Sequence, residues 1–480
     1  MKKLNELFDC NYDTLIKGIK TNSKEINEGD LFVCIMGFNC DRHDFVKEAK
    51  EKGASALVVS RDVESDLPTI KVKNTNEELV NIVNKFYDYP STKMTMIGVT
   101  GTDGKTSTST IIYQLLNQYK KTGYIGTNGV ECPTYKDSSN NTTPVAEHLH
   151  RFLHNFYTNN CESVIMETGS EGLAQGRCED IEFDYSIFTN LSHEHLNFHK
   201  TMNNYMNAKA ILFKQTKKDG YSIINIDDEY AKKIANKSNG KVLYYGQNEN
   251  ADFRFFDVVL NQNYSSFKLE NKGIIYDIET CLLGMFNVYN LTAALSILIL
   301  MGYNINELSI PLKQLNIDGR MTNIDFGQDF KVIVDYAHTP NGYLKLFELT
   351  KNLGAKRTIV VAGSAGERDA KKRPVMGEIL VTNADYVIFT YEDPRTEDPN
   401  DIIEQMISTV KDKSEKYEKV IDRHLAIERA INIAKKGDMV LILGKGNENY
   451  ETIGKEKIYF NDVEEAENAL KKLLAQKVKE

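Results

Sequence analysis

The sequence predicts an α/β protein of three domains, and its length, composition and hydrophobic pattern each support this fold class. The chain has 480 residues, which is enough for about three domains of ordinary size. Hydrophobic residues make up 41% of the chain and charged residues 26%, as is typical of a packed globular protein. Short apolar and β-branched runs alternate with amphipathic helical patterns, which predicts mostly parallel sheets with helices on both faces.

Composition also argues against several classes of function. The net charge of −9 argues against nucleic acid as a partner, because a phosphate polymer requires a basic face. The seven cysteines form no C-x-x-C pair, so we expect neither a disulfide framework nor a structural zinc site. The N-terminus lacks the apolar core of a signal peptide, and the longest apolar stretch, residues 291–301, is too short to cross a bilayer. We therefore expect a cytoplasmic monomer that acts on small molecules and has no membrane partner.

Residues 1–92 are predicted to form a small α/β domain. Strands are expected at residues 30–36 and 56–60, with a helix at residues 44–52 between them. A second helix ends before Pro90. Two polar segments are candidate ligand contacts by position alone, with ordinary loop residues as the alternative: Ser23 and residues 39–44.

Residues 93–318 are predicted to form a central domain that begins with a strand, a glycine loop and a helix. The apolar strand ends at Gly101, and the helical pattern starts after Gly104. In such a loop, backbone N–H groups and the positive end of the helix bind phosphate. Lys105 would add a positive charge at the β- and γ-phosphates, and the Thr106 hydroxyl would hold Mg²⁺.

This loop is a variant of the P-loop, since Gly98 stands one residue too far from Gly104 for the strict spacing. A glycine-rich turn with a chance lysine is the alternative. Because Gly104-Lys105-Thr106 follows a hydrophobic strand, we interpret the loop as a nucleoside triphosphate site.

The rest of the central domain alternates strands with helices. Three further strands are expected: residues 163–167, 185–189 and 222–226. Because ligands of parallel sheets gather at the carboxyl ends of the strands, Glu167, Asn190 and residues 192–199 are predicted to lie near Lys105. Residues 252–280 alternate apolar and polar side chains, which predicts an antiparallel ribbon, and a helix at residues 287–302 closes the domain.

Residues 319–480 are predicted to form a doubly wound, Rossmann-like domain. Four apolar strands each lead into a polar loop: residues 332–335, 358–362, 386–390 and 439–443. Three of the loops carry glycines or charges where parallel strands end: residues 363–369, 392–395 and 444–448. The Lys/Glu-rich tail after Glu464 predicts a solvated amphipathic helix.

Six segments resemble, in the same order, the motifs of the Mur ligase family, whose members are ATP-dependent amide-forming enzymes of peptidoglycan precursor synthesis. The segments are residues 100–106, 189–199, 208–213, 284–290, 318–321 and 334–340. The resemblance covers essentially the whole chain. It implies that residues 1–92 bind a UDP-linked substrate, residues 93–318 bind ATP and residues 319–480 bind an amino acid.

Within that family, the chain is most similar to the member that adds the third peptide residue to UDP-N-acetylmuramoyl-L-alanyl-D-glutamate. Shorter segments carry this likeness: residues 141–144, 175–177, 366–369, 372–374, 393–395 and 444–448. The sequence departs from the family pattern at several positions. Serine is usual at the position of Gly169, and histidine is usual at those of Glu171 and Asn447. The pair Glu392-Asp393 stands before Pro-Arg where the family usually has Asp-Asn. A divergent ortholog and a paralogue with altered substrate both remain open.

The resemblance implies that ATP phosphorylates the D-glutamate carboxylate and that an amine attacks the resulting acyl phosphate. ATP and Mg²⁺ are the implied cofactors. The residues implied to bind ATP are Gly101, Thr102, Asp103, Gly104, Lys105, Thr106, Ser107, Asn287, Asn290, Arg320, Asp335 and His338. Of these, Arg320, Asp335 and His338 would reach ATP when the domains close, and a hinge salt bridge is their alternative.

Four residues are implied to be catalytic: Lys105, Glu167, His195 and Lys209. Mg²⁺ prefers oxygen ligands, which suits Thr106 with Glu167, and a second ion is implied at His195. By likeness, Lys209 reacts with CO₂ to give a carbamate, which turns a cation into an oxygen ligand for the metal. Without the resemblance, Lys209 is a helix-surface lysine, and His195 with His199 could form a zinc pair.

The UDP-linked substrate is implied to contact Ser23, Asn141, Thr142, Thr143, Gln175 and Arg177. The incoming amino acid is implied to contact Arg368, Asp393, Pro394, Arg395, Gly444 and Glu448. An arginine fork binds a carboxylate and a glutamate holds an ammonium, so Arg395 with Glu448 predicts meso-diaminopimelate. L-Lysine is the alternative substrate, and Arg395 could instead cap or salt-bridge the following helix. An ATP-binding regulatory relative without turnover is the non-enzymatic alternative.

Overall fold

The computed structural model describes residues 1–37, 40–139, 141–261 and 263–477. Within these ranges, three sheets of four or more strands follow one another along the chain, as the alternating pattern predicts. Two two-stranded sheets accompany them, β1 (Lys2–Lys3) with β2 (Leu15–Ile16) and β24 (Tyr450–Ile453) with β25 (Glu456–Tyr459). Asn39, one of the candidate ligand contacts, lies outside the described residues. No helix in the described ranges is long and apolar enough to cross a membrane.

The first sheet has four parallel strands in the order β3-β4-β5-β6. The elements of this unit are β1 (Lys2–Lys3), α1 (Leu4–Leu7), β2 (Leu15–Ile16), β3 (Gly18–Lys20), β4 (Asp30–Val33), α2 (Val46–Glu51), β5 (Ala56–Val59), β6 (Thr69–Lys71) and α3 (Thr75–Phe86). Strand β4 ends earlier than predicted because the chain folds back, and Met36 pairs with Asp41 in an isolated bridge. The predicted helix at residues 44–52 begins with a 3₁₀ turn, Arg42–Phe45, before α2.

The central sheet has eleven strands within the described residues, in the order β10-β9-β8-β11-β7-β12-β13-β14-β15-β16-β17. Its strands are β7 (Thr95–Thr100), β8 (Thr122–Gly126), β9 (Gly129–Cys132), β10 (Tyr135–Asp137), β11 (Ser163–Glu167), β12 (Phe183–Phe188), β13 (Thr216–Asn225), β14 (Lys241–Gly246), β15 (Phe253–Leu260), β16 (Ser265–Asn271) and β17 (Ile274–Thr280). The helices of this unit are α4 (Lys105–Leu116), α5 (Ala146–Thr158), α6 (Ser170–Ala174), α7 (Leu196–His199), α8 (Met202–Lys214), α9 (Ala231–Ala235), α10 (Met285–Leu300) and α11 (Ser309–Lys313).

In the order of the sheet, the strands from β8 through β11, β7, β12, β13 and β14 to β15 run parallel. Strands β9 and β10 pair antiparallel at the edge next to β8. At the other edge, β15, β16 and β17 pair antiparallel, which confirms the predicted ribbon. Strands β11, β7 and β12 are neighbours in the middle of the sheet. Their carboxyl ends therefore bring the phosphate loop, Glu167 and residues 189–199 together, as predicted.

Helices cover both faces of the central sheet. Successive strand residues point to opposite sides, and both sides of the central strands carry apolar residues that need a covering helix. Ile97 packs in one core with α4 and α10, whereas Met96 packs in the other with α5 and α8. Gly98 belongs to β7, and a Cβ there would lie 2.5 Å from Leu212 Cδ1 on α8. This glycine therefore serves close helix-to-strand packing and not the phosphate loop.

The last sheet has five parallel strands and one antiparallel edge strand, in the order β18-β19-β23-β20-β21-β22. The elements of this unit are β18 (Thr322–Asn323), β19 (Lys331–Asp335), α12 (Pro340–Asn352), β20 (Thr358–Ala362), α13 (Lys372–Asn383), β21 (Tyr386–Phe389), α14 (Pro399–Ile407), β22 (Tyr417–Lys419), α15 (Arg423–Ile433), β23 (Met439–Leu443), β24 (Tyr450–Ile453), β25 (Glu456–Tyr459) and α16 (Asp462–Lys477). Helices α12 to α14 cover one face and α15 with α16 the other, which confirms a doubly wound unit.

Candidate active site

A cleft of about 1420 Å³ is lined by loops that follow strands of the central and last sheets. The predicted site residues that line it are Thr102, Asp103, Gly104, Lys105, Thr106, Ser107, Asn141, Thr142, Thr143, Arg177, His195, Lys209, Asn290, Arg320, Asp335, His338, Arg368, Asp393, Arg395 and Glu448. The structure therefore brings together most of the residues that the sequence singles out.

The phosphate loop presents backbone N–H groups at the start of α4. Gly104 precedes the helix with φ +83°, and no side chain caps the first turn. Gly101 has φ +155°, and a Cβ there would lie 1.8 Å from Thr189 Oγ1. Lys105 Nζ donates to the carbonyls of Gly101 (3.0 Å) and Thr102 (2.9 Å). Open amides, a helix N-terminus and a lysine together form a site suited to an anion.

Lys209 lies beneath the same loop and is 1% exposed. Its Nζ donates to the Gly101 carbonyl at 2.6 Å and lies 4.4 Å from the ring centroid of Tyr205. Burial, together with the nearby Lys105 ammonium, holds the pKa of Lys209 well below its ordinary value. The alternative of a helix-surface lysine is wrong, because this amine is buried and its neutral form is favoured.

Glu167 is fully buried at the end of β11 and is held by four hydrogen bonds. Its Oε1 accepts from Tyr124 Oη (2.6 Å) and the Thr127 amide (3.0 Å). Its Oε2 accepts from Thr106 Oγ1 (3.0 Å) and Thr127 Oγ1 (3.1 Å). The contacts of Tyr124 and Thr127 with Glu167 were not predicted, because the sequence does not show that β8 and β11 are neighbouring strands.

The oxygen atoms of Thr106 and Glu167 fit Mg²⁺. In an octahedral site with ligands at about 2.0–2.1 Å, neighbouring ligands stand about 2.9 Å apart. Thr106 Oγ1 and Glu167 Oε2 are 3.0 Å apart, so they could occupy adjacent positions around one ion. In the described ranges, no group of three or more His, Cys, Asp or Glu side chains is arranged to hold a metal by itself.

His195 and His199 have different surroundings. His199 is buried, and its Nε2 lies 2.9 Å from Ser170 Oγ. Burial and the nearby His195 lower the pKa of His199 to about 4. His195 lines the cleft, and its Nδ1 lies 3.2 Å from Glu171 Oε1. The two imidazoles thus have separate partners, and this geometry does not favour a shared zinc ion.

Asn290 lies against the phosphate loop, and Asn287 lies behind Asn290. Asn290 Oδ1 accepts from Thr108 Oγ1 at 3.3 Å, and a Cβ on Gly104 would lie 2.5 Å from that same Oδ1. Asn290 Nδ2 donates to Asn287 Oδ1 (3.3 Å), and Asn287 Nδ2 donates to the Leu283 carbonyl (2.9 Å). Asn287 is therefore a support for Asn290, and it is not among the residues that line the cleft.

The last unit places three of the predicted ATP residues around the end of β19. Asp335 accepts from the amides of Met321 and Ala337, both at 2.8 Å, while burial raises its pKa. His338 Nδ1 donates to the Tyr336 carbonyl at 2.9 Å, and burial with the nearby Lys372 lowers the His338 pKa to about 3. The Arg320 guanidinium lies 4.3 Å from the Tyr336 ring centroid. Arg320 thus stacks on an aromatic ring, and no ion pair among these three is seen in the described chain.

Side-chain contacts join the central and last units across the cleft. Asn341 Nδ2 donates to Asp103 Oδ2 of the phosphate loop at 3.0 Å. Lys372 Nζ lies 3.1 and 3.3 Å from the two carboxylate oxygens of Glu194 and donates to the His338 carbonyl. Both side chains of this ion pair are less than 10% exposed. None of these contacts between distant segments was predicted.

The segment predicted to hold the UDP-linked substrate adjoins Glu167. Thr143 Oγ1 donates to the Glu167 carbonyl at 3.0 Å, and Arg177 Nη1 donates to the Thr143 carbonyl at 2.8 Å. Gln175 Oε1 accepts from Arg177 Nε and Nη2, at 3.1 and 2.7 Å. Ser23 lies apart, since its buried hydroxyl donates to Glu48 and it is not among the residues that line the cleft.

Two polar loops of the last unit form the predicted amino-acid pocket. Lys445 was not predicted to belong to this pocket. Its Nζ lies 2.9 Å from Asp393 Oδ1 and 3.2 Å from Glu448 Oε2. Burial and the adjacent Asp393 raise the pKa of Glu392 to about 7. A Cβ on Gly444 would lie 2.8 Å from Glu392 Oε2, so a larger residue there would displace that carboxyl group.

Arg395 lines the cleft and adds a second cation to these loops, besides Lys445. It has φ +52°, and its Nη1 donates to the Gly366 carbonyl at 2.7 Å. The following helix α14 is capped by Asp398, whose side chain accepts from the Asn400 amide. The interpretation of Arg395 as a helix cap is therefore wrong. Pro394 shapes the same turn, where its carbonyl accepts from the Glu397 amide at 3.1 Å.

Besides Glu392, the other three departures from the family pattern have identifiable surroundings. A Cβ on Gly169 would meet only Thr143 Oγ1, at 3.6 Å, so packing does not require glycine there. Glu171 contacts His195 and, at 4.0 Å, Arg368. Asn447 Nδ2 donates to Asn128 Oδ1 at 3.2 Å and so joins the last unit to the loop after β8.

Three family models together match most of the chain. Their descriptions are "Mur ligase family, catalytic domain" for residues 15–96, "Mur ligase middle domain" for residues 99–298 and "Mur ligase, glutamate ligase domain" for residues 319–446.

Individual relatives match over nearly their whole length. Two UDP-N-acetylmuramoyl-L-alanyl-D-glutamate--2,6-diaminopimelate ligases are 39% identical (Clostridioides difficile; 95% of this chain, 96% of the relative) and 37% identical (Oceanobacillus iheyensis; 95% and 94%). A solved structure with the same enzyme name is 27% identical, covers 98% of this chain and 99% of its own, and has a TM-score of 0.67. MurF ligase from Thermotoga maritima in complex with ADP shares the fold, with a TM-score of 0.70 at 21% identity over 97% and 100% of the two chains. The matched domains, in this order, and the identity with these relatives show that the chain belongs to the Mur ligase family.

Proposed function

We propose that the protein is an ATP-dependent ligase that joins meso-diaminopimelate to UDP-N-acetylmuramoyl-L-alanyl-D-glutamate in peptidoglycan precursor synthesis. The main support is the arrangement of Lys105, Thr106, Glu167 and Lys209 around one phosphate loop. The names of the relatives and the carboxylate and guanidinium groups of the last unit support the choice of substrates. We place this reaction in the cytoplasm, where ATP is available.

The first step activates the D-glutamate carboxylate. A carboxylate oxygen forms a bond to the γ-phosphorus of ATP while the bond between that phosphorus and ADP breaks, which gives an acyl phosphate. The amides at the start of α4 and Lys105 would hold the phosphates, and Arg177 with Thr142 and Thr143 would hold the anionic peptide. Because both substrates are anions, these cations and amides offset a repulsion that would otherwise keep them apart.

Divalent metal supplies charge neutralisation to this step when it is bound. Thr106 and Glu167 would hold one Mg²⁺, and His195 with the carbamate of Lys209 would serve a second ion. Carbamate formation needs a neutral amine, and the lowered pKa of Lys209 supports that state.

The second step forms the amide. The amine nitrogen of the incoming amino acid attacks the acyl carbon, phosphate leaves, and the nitrogen loses a proton. Arg395 and Arg368 would bind the distal carboxylate of diaminopimelate, and Glu448 with Asp393 would face its ammonium. L-Lysine lacks that distal carboxylate and would leave a guanidinium unpaired, which is why we favour diaminopimelate.

The test is phosphate release by the purified protein with ATP, Mg²⁺, the UDP-dipeptide and either diamino acid. We expect release that requires all four components and, at equal amino-acid concentrations, product that contains mostly diaminopimelate. Product that contains mostly L-lysine would assign the alternative substrate. ATP binding without phosphate release on either amino acid would contradict the proposal and identify a non-catalytic relative.

A further inference from the structure

Glu171 occupies a position that no step of the proposed reaction uses. It lies on α6, four residues after Glu167 at the end of β11. Its Oε1 is 3.2 Å from His195 Nδ1 and 4.0 Å from Arg368 Nη1. One carboxylate oxygen therefore lies between an imidazole of the central unit and a guanidinium of the last unit.

The His195 ring is restrained from a second side as well. Its backbone has φ +57° and immediately precedes α7. The ring centroid is 5.9 Å from that of fully buried Tyr205, whose hydroxyl lies 3.2 Å from Thr102 Oγ1. The imidazole is thus held between the Tyr205 ring, which is tilted by 54° to it, and the Glu171 carboxylate at Nδ1.

The hydrogen bond also determines which ring nitrogen carries the proton. A carboxylate only accepts hydrogen bonds, so Nδ1 of His195 must be the donor to Glu171. Nε2 forms no hydrogen bond within the described part of the chain, and His195 lines the cleft. In a neutral imidazole with Nδ1–H, the lone pair of Nε2 is available as a ligand.

We propose that Glu171 is a positioning residue that holds His195 as the Nδ1–H tautomer and so presents Nε2 to a divalent cation in the cleft. The cation part rests on the proposed function of His195, whereas the tautomer part does not. Carboxylate partners of this kind increase the basicity of a metal-binding imidazole, and their loss weakens metal affinity by about 10–100-fold. Histidine, the usual family residue at position 171, would supply no such negative charge.

The tautomer is tested first, by ¹⁵N spectra of the imidazoles in the full-length protein, with His195→Asn to assign the signal. We expect a protonated Nδ1 and a bare Nε2 in the wild type and loss of that pattern in Glu171→Leu, which removes the acceptor. An unchanged His195 signal in Glu171→Leu would overturn the proposal, because Glu171 would then not select the tautomer.

Metal binding is tested with Mn²⁺ as the probe, by the electron paramagnetic resonance signal of the free ion in the presence of ADP. We expect Kd to rise at least about tenfold in Glu171→Leu and less in Glu171→Gln, which keeps an acceptor without the charge. Glu179→Gln changes an exposed glutamate just after α6 and should leave Kd unchanged. Equal Kd values for wild type and Glu171→Leu would overturn the inference. Absence of Mn²⁺ binding in the wild type would instead overturn the metal site of the proposed function, while the tautomer spectra would still decide the role of Glu171.

Discussion

Lys105 and Lys209 donate to the same acceptor, the carbonyl oxygen of Gly101. Lys209 is fully buried and Lys105 partly so, and burial lowers the pKa of each amine. Two ammonium groups on one carbonyl repel one another, so the loss of one proton relieves both the repulsion and the desolvation. The pKa of Lys209 is lowered further than that of Lys105, because the positive charge of Lys105 adds to the effect of burial.

Replacing Lys209 with Met should stabilise the protein at neutral pH in CO₂-free buffer. Below the ordinary lysine pKa of ~10.4, the unfolded wild type binds a proton at Lys209 that the folded state disfavours. Wild-type stability therefore rises with pH towards that value, and the advantage of Lys209→Met should shrink there. Thermal unfolding between pH 7 and pH 10 measures this difference. A change of about 1 kcal/mol in the free energy of unfolding shifts Tm by about 2–4 °C in a domain of 150–250 residues. Lys214→Met, at an exposed position of the same helix, is the control, and equal pH profiles for both variants would contradict the expectation.

Thr106→Val should abolish most phosphate release while preserving the fold. The variant keeps the shape of the side chain but removes the hydroxyl that lies 3.0 Å from Glu167 Oε2. We expect kcat to fall by about 10²–10³-fold, which is the usual loss when one stabilising group is removed from a transition state. The Mg²⁺ concentration that gives half the maximal rate should rise. Ser109→Ala is the matched control on α4, because its buried Oγ has no hydrogen-bond partner in the described structure. Thr106→Val with wild-type Mg²⁺ dependence would refute a metal role for this hydroxyl.

Arg395→Ala should separate amino-acid binding from nucleotide binding. The guanidinium has one hydrogen bond in the described structure, to the Gly366 carbonyl, and its remaining N–H groups can pair with a carboxylate. KM for diaminopimelate should rise by at least about 100-fold and discrimination against L-lysine should fall, whereas KM for ATP should not change. Steady-state kinetics with each substrate varied in turn provide the values. Arg429→Ala, which breaks an exposed ion pair with Glu418, should match the wild type, and unchanged diaminopimelate use by Arg395→Ala would remove the basis for choosing this substrate.

Glu392→Gln should change how stability depends on pH. The pKa of Glu392 is raised to about 7 by burial and by Asp393, so the folded protein holds this proton more tightly than the unfolded chain. The benefit is fully present below the unfolded value of about 4.3 and is lost as pH rises to about 7. Relative to Glu392→Gln, the wild type should therefore lose stability between pH 5 and pH 8, by roughly 3 kcal/mol at most. Urea unfolding at the two pH values tests this, and parallel changes in both proteins would show that Glu392 ionises normally.

The sequence predicts the positions of backbone elements more completely than the contacts between them. The strand at residues 163–167 has the predicted bounds, and the rule that ligands gather at strand carboxyl ends correctly places Glu167 beside Thr106. The burial of Lys209 could not be predicted from α8, because polar residues on the same helix suggest a solvated face.

The unpredicted contacts join segments that are far apart in the chain. Tyr124 reaches Glu167 because β8 and β11 pair, and Lys445 reaches Asp393 because β23 and β21 end at the same edge. Ser23 shows the opposite case, since a polar loop position suggested a ligand contact and the structure gives its hydroxyl an internal partner, Glu48.

The ion pair between Lys372 and Glu194 bears on how products leave. Removing both charges from water costs nearly as much free energy as their mutual attraction returns, so the pair sets the alignment of the two units without holding them firmly. If the two units separate, water can replace this contact on both side chains, so we expect bound substrates rather than the ion pair to determine how long the units stay together.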